Sequence, residues 1–127
     1  MTRRPCILLA DDDELLLKAL SIRLERMNVQ VITATDGYNS LAKAKEHKPD
    51  LLILDVNMPA GDGFSVQERL KGDPSLSSIP VIYLTGDQSE RLDSFAERAG
   101  AFALFHKPFK LPQLVETINK ALRPKAA

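Results

Sequence analysis

Four aliphatic residues, Leu51–Leu54, run without a break into Asp55, and Val56, Asn57, Met58 and Pro59 follow. An unbroken aliphatic run of this length reads as a strand buried on both faces, as in a parallel sheet. Pro59 has no N–H to donate and cannot continue a central strand, so the strand ends near Asp55. That puts Asp55 at the carboxyl edge of the sheet, where open α/β folds gather their ligands. Two readings stay open on this stretch alone: a carboxylate that carries chemistry, or one that merely caps a loop.

The rest of the chain alternates in the same way. Cys6–Ala10 is a short strand ending in Asp11-Asp12-Asp13-Glu14. Asp13 suits the cap of a helix whose inner face is Leu16, Leu20, Leu24 and Met27. Val29–Thr33 is a second strand, and Asp36-Gly37 turns into a helix with Leu41 and Ala44 inward. After the central strand, Met58–Gly63 is a loop and Phe64, Val66 and Leu70 mark a third helix. Val81–Thr85 is the fourth strand. Leu92, Phe95, Ala96 and Ala99 share a helical face closed by Gly100. Phe102–His106 is the fifth strand, ended by Lys107-Pro108, and Pro112 opens a last helix facing inward through Leu111, Leu114, Val115, Ile118 and Leu122. Strand–helix alternation of this kind predicts an α/β fold, a doubly wound parallel sheet with helices on both sides.

The bulk numbers exclude several classes. At 127 residues the chain is expected to be one domain. Lys and Arg total 17, as do Asp and Glu, so no global field draws the chain to nucleic acid or an anionic membrane. Neither partner is expected. Cys6, the single cysteine, excludes an internal disulfide and reads as a small core residue. No apolar stretch approaches a membrane span and the N-terminus lacks a signal-peptide core, so a reducing cytoplasm is expected. Arg123–Ala127, broken by Pro124, reads as a free end or the start of a linker.

In the expected sheet, Asp11, Asp12, Asp55, Thr85 and Lys107 all fall on the carboxyl edge. Clustered acids repel one another unless a cation or partner offsets them. Hard carboxylate oxygens with no cysteine or histidine beside them suit Mg²⁺. A carboxylate nucleophile, a metal site, a hydroxyl and an ammonium are the parts needed to accept a phosphoryl group.

These motifs carry a resemblance. Ile7–Asp12, Leu54–Pro59, Tyr83–Gly86 and Lys107-Pro108-Phe109 are each short, but their joint order and spacing are specific. Over about residues 4–122 of 1–127 the chain resembles a two-component response-regulator receiver domain. The resemblance implies a (βα)5 flavodoxin-like sheet of order 2-1-3-4-5 and a signalling domain that promotes its own phosphorylation and dephosphorylation. It implies Asp55 as phospho-acceptor, and Mg²⁺ held by Asp12, Asp55 and the Asn57 backbone carbonyl, with Asp11 helping. It also implies Thr85 as switch hydroxyl and Lys107 as the lysine contacting the phosphoryl group. The donor would be a histidine kinase or phosphotransfer protein. The face of the fourth helix, fifth strand and fifth helix would meet a downstream protein partner or effector domain, or a second copy in a phosphorylation-dependent homodimer. One position departs from the pattern. Many receivers carry Tyr or Phe three residues before the lysine, where this chain has Leu104.

Other residues have plainer readings. Asp62 serves the loop turn. Gly61-x-Gly63 lacks the third glycine of a dinucleotide fingerprint. His47 and His106 lack metal-ligand spacing and read as surface or loop groups, and Lys43, Lys45 and Lys48 as a solvated helix face. Two rival functions remain. A haloacid-dehalogenase-type phosphatase would want Asp-x-Asp after the first strand, whereas here Asn57 holds the partner position. A phosphorylation-independent scaffold would not need the full set of site groups.

Overall fold

The computed structural model describes residues 3–123, so residues 124–127 of the expected tail lie outside it. Five strands, β1 (Cys6–Ala10), β2 (Gln30–Ala34), β3 (Leu51–Asp55), β4 (Val81–Thr85) and β5 (Ala103–His106), alternate with five helices. These are α1 (Glu14–Glu25), α2 (Gly37–His47), α3 (Gly63–Lys71), α4 (Glu90–Arg98) and α5 (Leu111–Ala121). All strand pairs are parallel and the order is β2-β1-β3-β4-β5, as the alternation and the resemblance imply.

The two faces of the sheet bury different residues of the same strands. Leu8, Ala10, Leu52, Leu54, Val81 and Tyr83 pack against Ala44 of α2, Val66 and Leu70 of α3 and Ala96 of α4. Ile7, Leu9, Leu51, Ile53, Ile82 and Leu84 pack against Leu17, Leu20 and Leu24 of α1 and Leu114 and Ile118 of α5. Burial on both faces is why β3 reads as a continuous aliphatic run, since alternation leaves no residue for solvent. Leu51–Leu54 are each 0% exposed, and burial at that level stabilises by roughly 1.5–3 kcal/mol per side chain.

Side-chain caps start four of the helices and fix where each strand-to-helix turn lies. Asp13 accepts from the N–H groups of Leu15 and Leu16, Asp36 from Asn39, Asp62 from Ser65 and Ser89 from Arg91. Each such cap contributes about 1 kcal/mol. Asp62 is thus a helix cap rather than only a turn residue.

Four local expectations shift. β2 begins at Gln30, whose N–H donates to Pro5 O at 2.8 Å, while Val29 is buried just ahead of the pairing. β5 begins at Ala103; Phe102 makes one bond to Val81 O, but the residue stays 46% exposed. In α1 the deepest face is Leu17, Leu20 and Leu24, with Leu16 and Met27 at its margin. Lys43 is not simply solvated, because its ammonium donates to Thr33 O.

Candidate functional site

The register brings four strand ends to one level. Ala10 pairs with Leu54, Asp55 with Leu84, and Thr85 with His106. Asp11 and Asp12 therefore leave β1 beside the end of β3, and Lys107 leaves β5 beside the end of β4. The Lys107 N–H donates to Thr85 O at 2.7 Å, which carries the β4–β5 ladder one residue past the last strand pair.

The structure brings the three predicted acids together. One carboxylate oxygen from each of Asp11, Asp12 and Asp55 lies within 4.8 Å of the others. Asp11 and Asp55 are 1% and 4% exposed, whereas Asp12 faces solvent. Backbone donors fix the buried pair: the Asp13 N–H reaches Asp11 Oδ1 at 2.9 Å and the Asn57 N–H reaches Asp55 Oδ1 at 3.1 Å. The Lys107 ammonium donates to Asp11 Oδ2 at 2.7 Å and lies 3.5 Å from Asp55 Oδ2. Thr85, fully buried at the end of β4, accepts the Asp87 N–H on its Oγ1 at 3.0 Å.

The electrostatics follow from this packing. Burial pushes the Asp55 carboxyl up to about 6, with the Asp11 charge adding to it. The Asn57 N–H and the Lys107 charge act in the other direction. Burial also works against the Lys107 ammonium, but the Asp11 hydrogen bond and the two carboxylate charges outweigh it and raise its pKa. One ammonium cannot balance three carboxylates, so the edge remains short of positive charge. The donor set is all oxygen, with no histidine or cysteine in the group, and fits a hard divalent cation such as Mg²⁺. Asn57 is exposed beside Asp55 and belongs to the same loop.

Three features beyond the sequence reading shape the site. Gly63 sits against the Asp55 backbone, where a Cβ would lie 2.6 Å from Asp55 O. Tyr83, fully buried on β4, donates its hydroxyl to Gln67 Oε1 of α3, and its ring packs against Phe64, which in turn packs against Phe95. His106 is no free surface group: its ring lies between Asp87 O at 2.9 Å and Asp93 Oδ1 at 3.0 Å. The sequence signal for Gly63 was the glycine-bearing loop after β3. The other two depend on which helix lies over which strand.

Leu104, three residues before Lys107, is half-buried and packs on the α2–α4 side of the sheet. Phe105 points to the opposite layer, 6.2 Å from the Phe109 ring centroid.

Comparison with known proteins agrees with this geometry. The family described as response regulator receiver domain matches residues 7–119. The chain is 31% identical to the polar-differentiation response regulator DivK of Brucella anthropi, across 91% of this chain and 94% of that one. It is 34% identical to protein PilH of Pseudomonas aeruginosa, across 91% and 96%. Among solved structures, the chemotaxis response regulator CheY4 of Vibrio cholerae superposes with a TM-score of 0.85 at 29% identity, covering 94% of this chain and 99% of that one.

Proposed function

The chain belongs to the response regulator receiver family, and from that premise we propose that Asp55 is its phospho-acceptor in a Mg²⁺-dependent phosphorelay. One observation carries the reading. A buried carboxylate at the carboxyl edge of the central strand shares one cluster with two further acids and with an ammonium that bonds Asp11 at 2.7 Å and lies 3.5 Å from Asp55. At neutral pH Asp55 lies above its raised pKa of about 6 and is ionised, as a nucleophile must be.

In the proposed step an Asp55 carboxylate oxygen attacks the phosphorus of a phosphohistidine on a histidine kinase or phosphotransfer protein. The O–P bond forms as the N–P bond breaks, and the imidazole leaves with the bonding pair and takes up a proton. Lys107 is within reach of the same oxygens and would lean from Asp11 toward the phosphoryl group, offsetting its charge. The buried Thr85 hydroxyl would donate to another phosphoryl oxygen. Asp11, Asp12, Asp55 and the Asn57 carbonyl would hold Mg²⁺, which supplies the remaining positive charge. Water attack on the acyl phosphate at the same site would return Asp55, so the domain acts on itself as a switch and turns over no external substrate.

The output is assigned to the α4–β5–α5 face. Phe102 is 46% exposed there, which suits a protein partner, an effector domain or a second copy of the chain. No helix among the described residues is long and apolar enough to cross a membrane, and the balanced charge gives no pull toward nucleic acid.

The test is labelling by a small acyl phosphate. Wild type should label in Mg²⁺ and not in chelator, and Asp55→Asn should not label. Labelling that persists in the variant, or runs equally well in chelator, overturns the assignment.

A further inference from the structure

The β4–α4 loop, Gly86–Ser89, is tied down by few contacts, and two of them reach His106 and Lys107 at the end of β5. A Cβ on Gly86 would meet nothing within 4 Å. The Asp87 N–H is held by the Thr85 hydroxyl oxygen at 3.0 Å, and the Ser89 N–H by Asp87 Oδ1 at 2.8 Å. Gln88 Nε2 donates to Lys107 O at 3.1 Å. The remaining tie is the His106 ring, with Nδ1 at 2.9 Å from Asp87 O and Nε2 at 3.0 Å from Asp93 Oδ1 on α4.

Those two partners determine the protons. A backbone carbonyl oxygen only accepts, and so does an ionised carboxylate. Both ring nitrogens must therefore donate, and only the imidazolium carries two N–H groups. A neutral ring can keep one of the two bonds and leaves the other as a contact between two acceptors. We infer that His106 is a positioning residue whose doubly protonated ring fastens both the Asp87 turn and α4 to β5, and that loss of one proton frees one of them. The inference rests on the proposed receiver function only for what the fastening controls.

The ionised groups facing the ring are few. Asp93 comes from α4 and the Asp87 carboxylate from the loop, and both favour the charged ring. On β4 the register partner is Thr85, which is uncharged. Lys107 follows in the chain, but its ammonium is engaged with Asp11 and Asp55. The Asp93 hydrogen bond, then the Asp87 carbonyl, hold the imidazole pKa above its ordinary value. The clamp is therefore closed in acid and opens as pH rises through that raised value.

Thr85 connects the clamp to the phosphoryl site. Its hydroxyl oxygen holds the N–H of Asp87, and His106 holds the carbonyl of the same residue. Turning the Thr85 hydroxyl toward a group on Asp55 would disturb the Asp87 turn that the ring fastens. By linkage, a proton on His106 resists that turn, and a phosphoryl group on Asp55 lowers the affinity of the ring for its proton.

The test is an imidazole and amide NMR titration. In the unlabelled protein, His106 should hold both protons above the ordinary midpoint of about 6.5, and the Gly86, Asp87 and Gln88 amides should move with the same midpoint. Asp93→Asn should bring that midpoint back toward about 6.5, and His106→Gln should abolish the movement of the loop amides. A singly protonated ring at pH about 6, an unchanged midpoint in Asp93→Asn, or loop amides that titrate as before in His106→Gln would overturn the clamp. In protein labelled at Asp55 the His106 midpoint should fall; an equal midpoint in both forms would overturn the coupling. The first readouts use unlabelled protein, so they stand or fall independently of whether Asp55 accepts a phosphoryl group.

Discussion

Lys107 is bonded to Asp11 at 2.7 Å and lies 3.5 Å from Asp55, so the ammonium bridges the acid that follows β1 and the acid that ends β3, more tightly at the first. Asp11 is 1% exposed and has no other cation within reach among the described residues. The lysine is therefore part of what makes the unphosphorylated edge tolerable. Under the proposed assignment, a phosphoryl group on Asp55 would share it with Asp11.

Lys107→Met should destabilise the protein by on the order of 3 kcal/mol at neutral pH, because it leaves buried carboxylates without their counter-charge. Urea unfolding would measure this, and added Mg²⁺ should recover part of the loss. An unchanged midpoint would mean that solvent, not Lys107, satisfies Asp11.

Asp55→Asn should stabilise the metal-free protein at pH 7. An acid whose folded pKa is raised holds its proton more tightly when folded. Stability is therefore greatest below the unfolded pKa near 3.8 and falls as pH rises through about 6. Above that window the buried charge costs on the order of 2 kcal/mol, which asparagine avoids. Thermal melts in chelator should show the gain at pH 7 and its disappearance below pH about 4. A gain that is the same at both ends would refute the titration account.

Asp12→Ala should separate metal binding from folding. Asp12 is exposed and makes no ion pair among the described residues, so the metal-free melt should shift little. Mg²⁺ should raise the melting temperature of wild type, by about 2.7 kcal/mol in stability at a hundredfold excess over Kd, and should fail to do so in the variant. Equal stabilisation of both would move the metal elsewhere.

Gly63→Ala should cost about 1–3 kcal/mol through overpacking. Its Cβ would lie 3.1 Å from the Tyr83 ring and 2.6 Å from Asp55 O, and the latter is main chain of β3 that cannot yield without moving the strand. Chemical denaturation would measure the cost, and a neutral result would show that the loop accommodates the methyl group.

The parts legible in the sequence are those whose signal is local. β1, β3 and β4 are continuous apolar runs with a polar residue at the end, and their residues Cys6–Ala10, Leu51–Asp55 and Val81–Thr85 are the observed strands. Asp11, Asp12, Asp55, Thr85 and Lys107 follow from strand ends alone. The phase of α1 does not. Leu15, Leu16 and Leu17 are consecutive, and only the Asp13 cap and the sheet beneath select Leu17 and leave Leu15 82% exposed. The Tyr83–Gln67 bond joins β4 to α3, and the His106 clamp joins β5 to α4 and a loop. Both require knowing which elements become neighbours, which no window of sequence contains.

The two glycine-bearing loops at the edge differ in how far they can travel. At Gly37 the start of α2 lies directly against the β3–α3 loop: its N–H donates to Pro59 O at 3.0 Å, and a Cβ would sit 1.9 Å from Gly61 O. Gly63 closes the other end of that loop through its N–H to Val56 O. Main chain rests on main chain, so no side-chain rotation can loosen this bank of the site. The opposite bank, at Gly86, has open space. The Gly86 side therefore has the room for a shift that the Gly37 side lacks. If Asp55 takes a phosphoryl group as proposed, the fulcrum of the response would lie on the α2 side and its free arm at α4, and a partner resting on α2 would meet the same surface with or without that group.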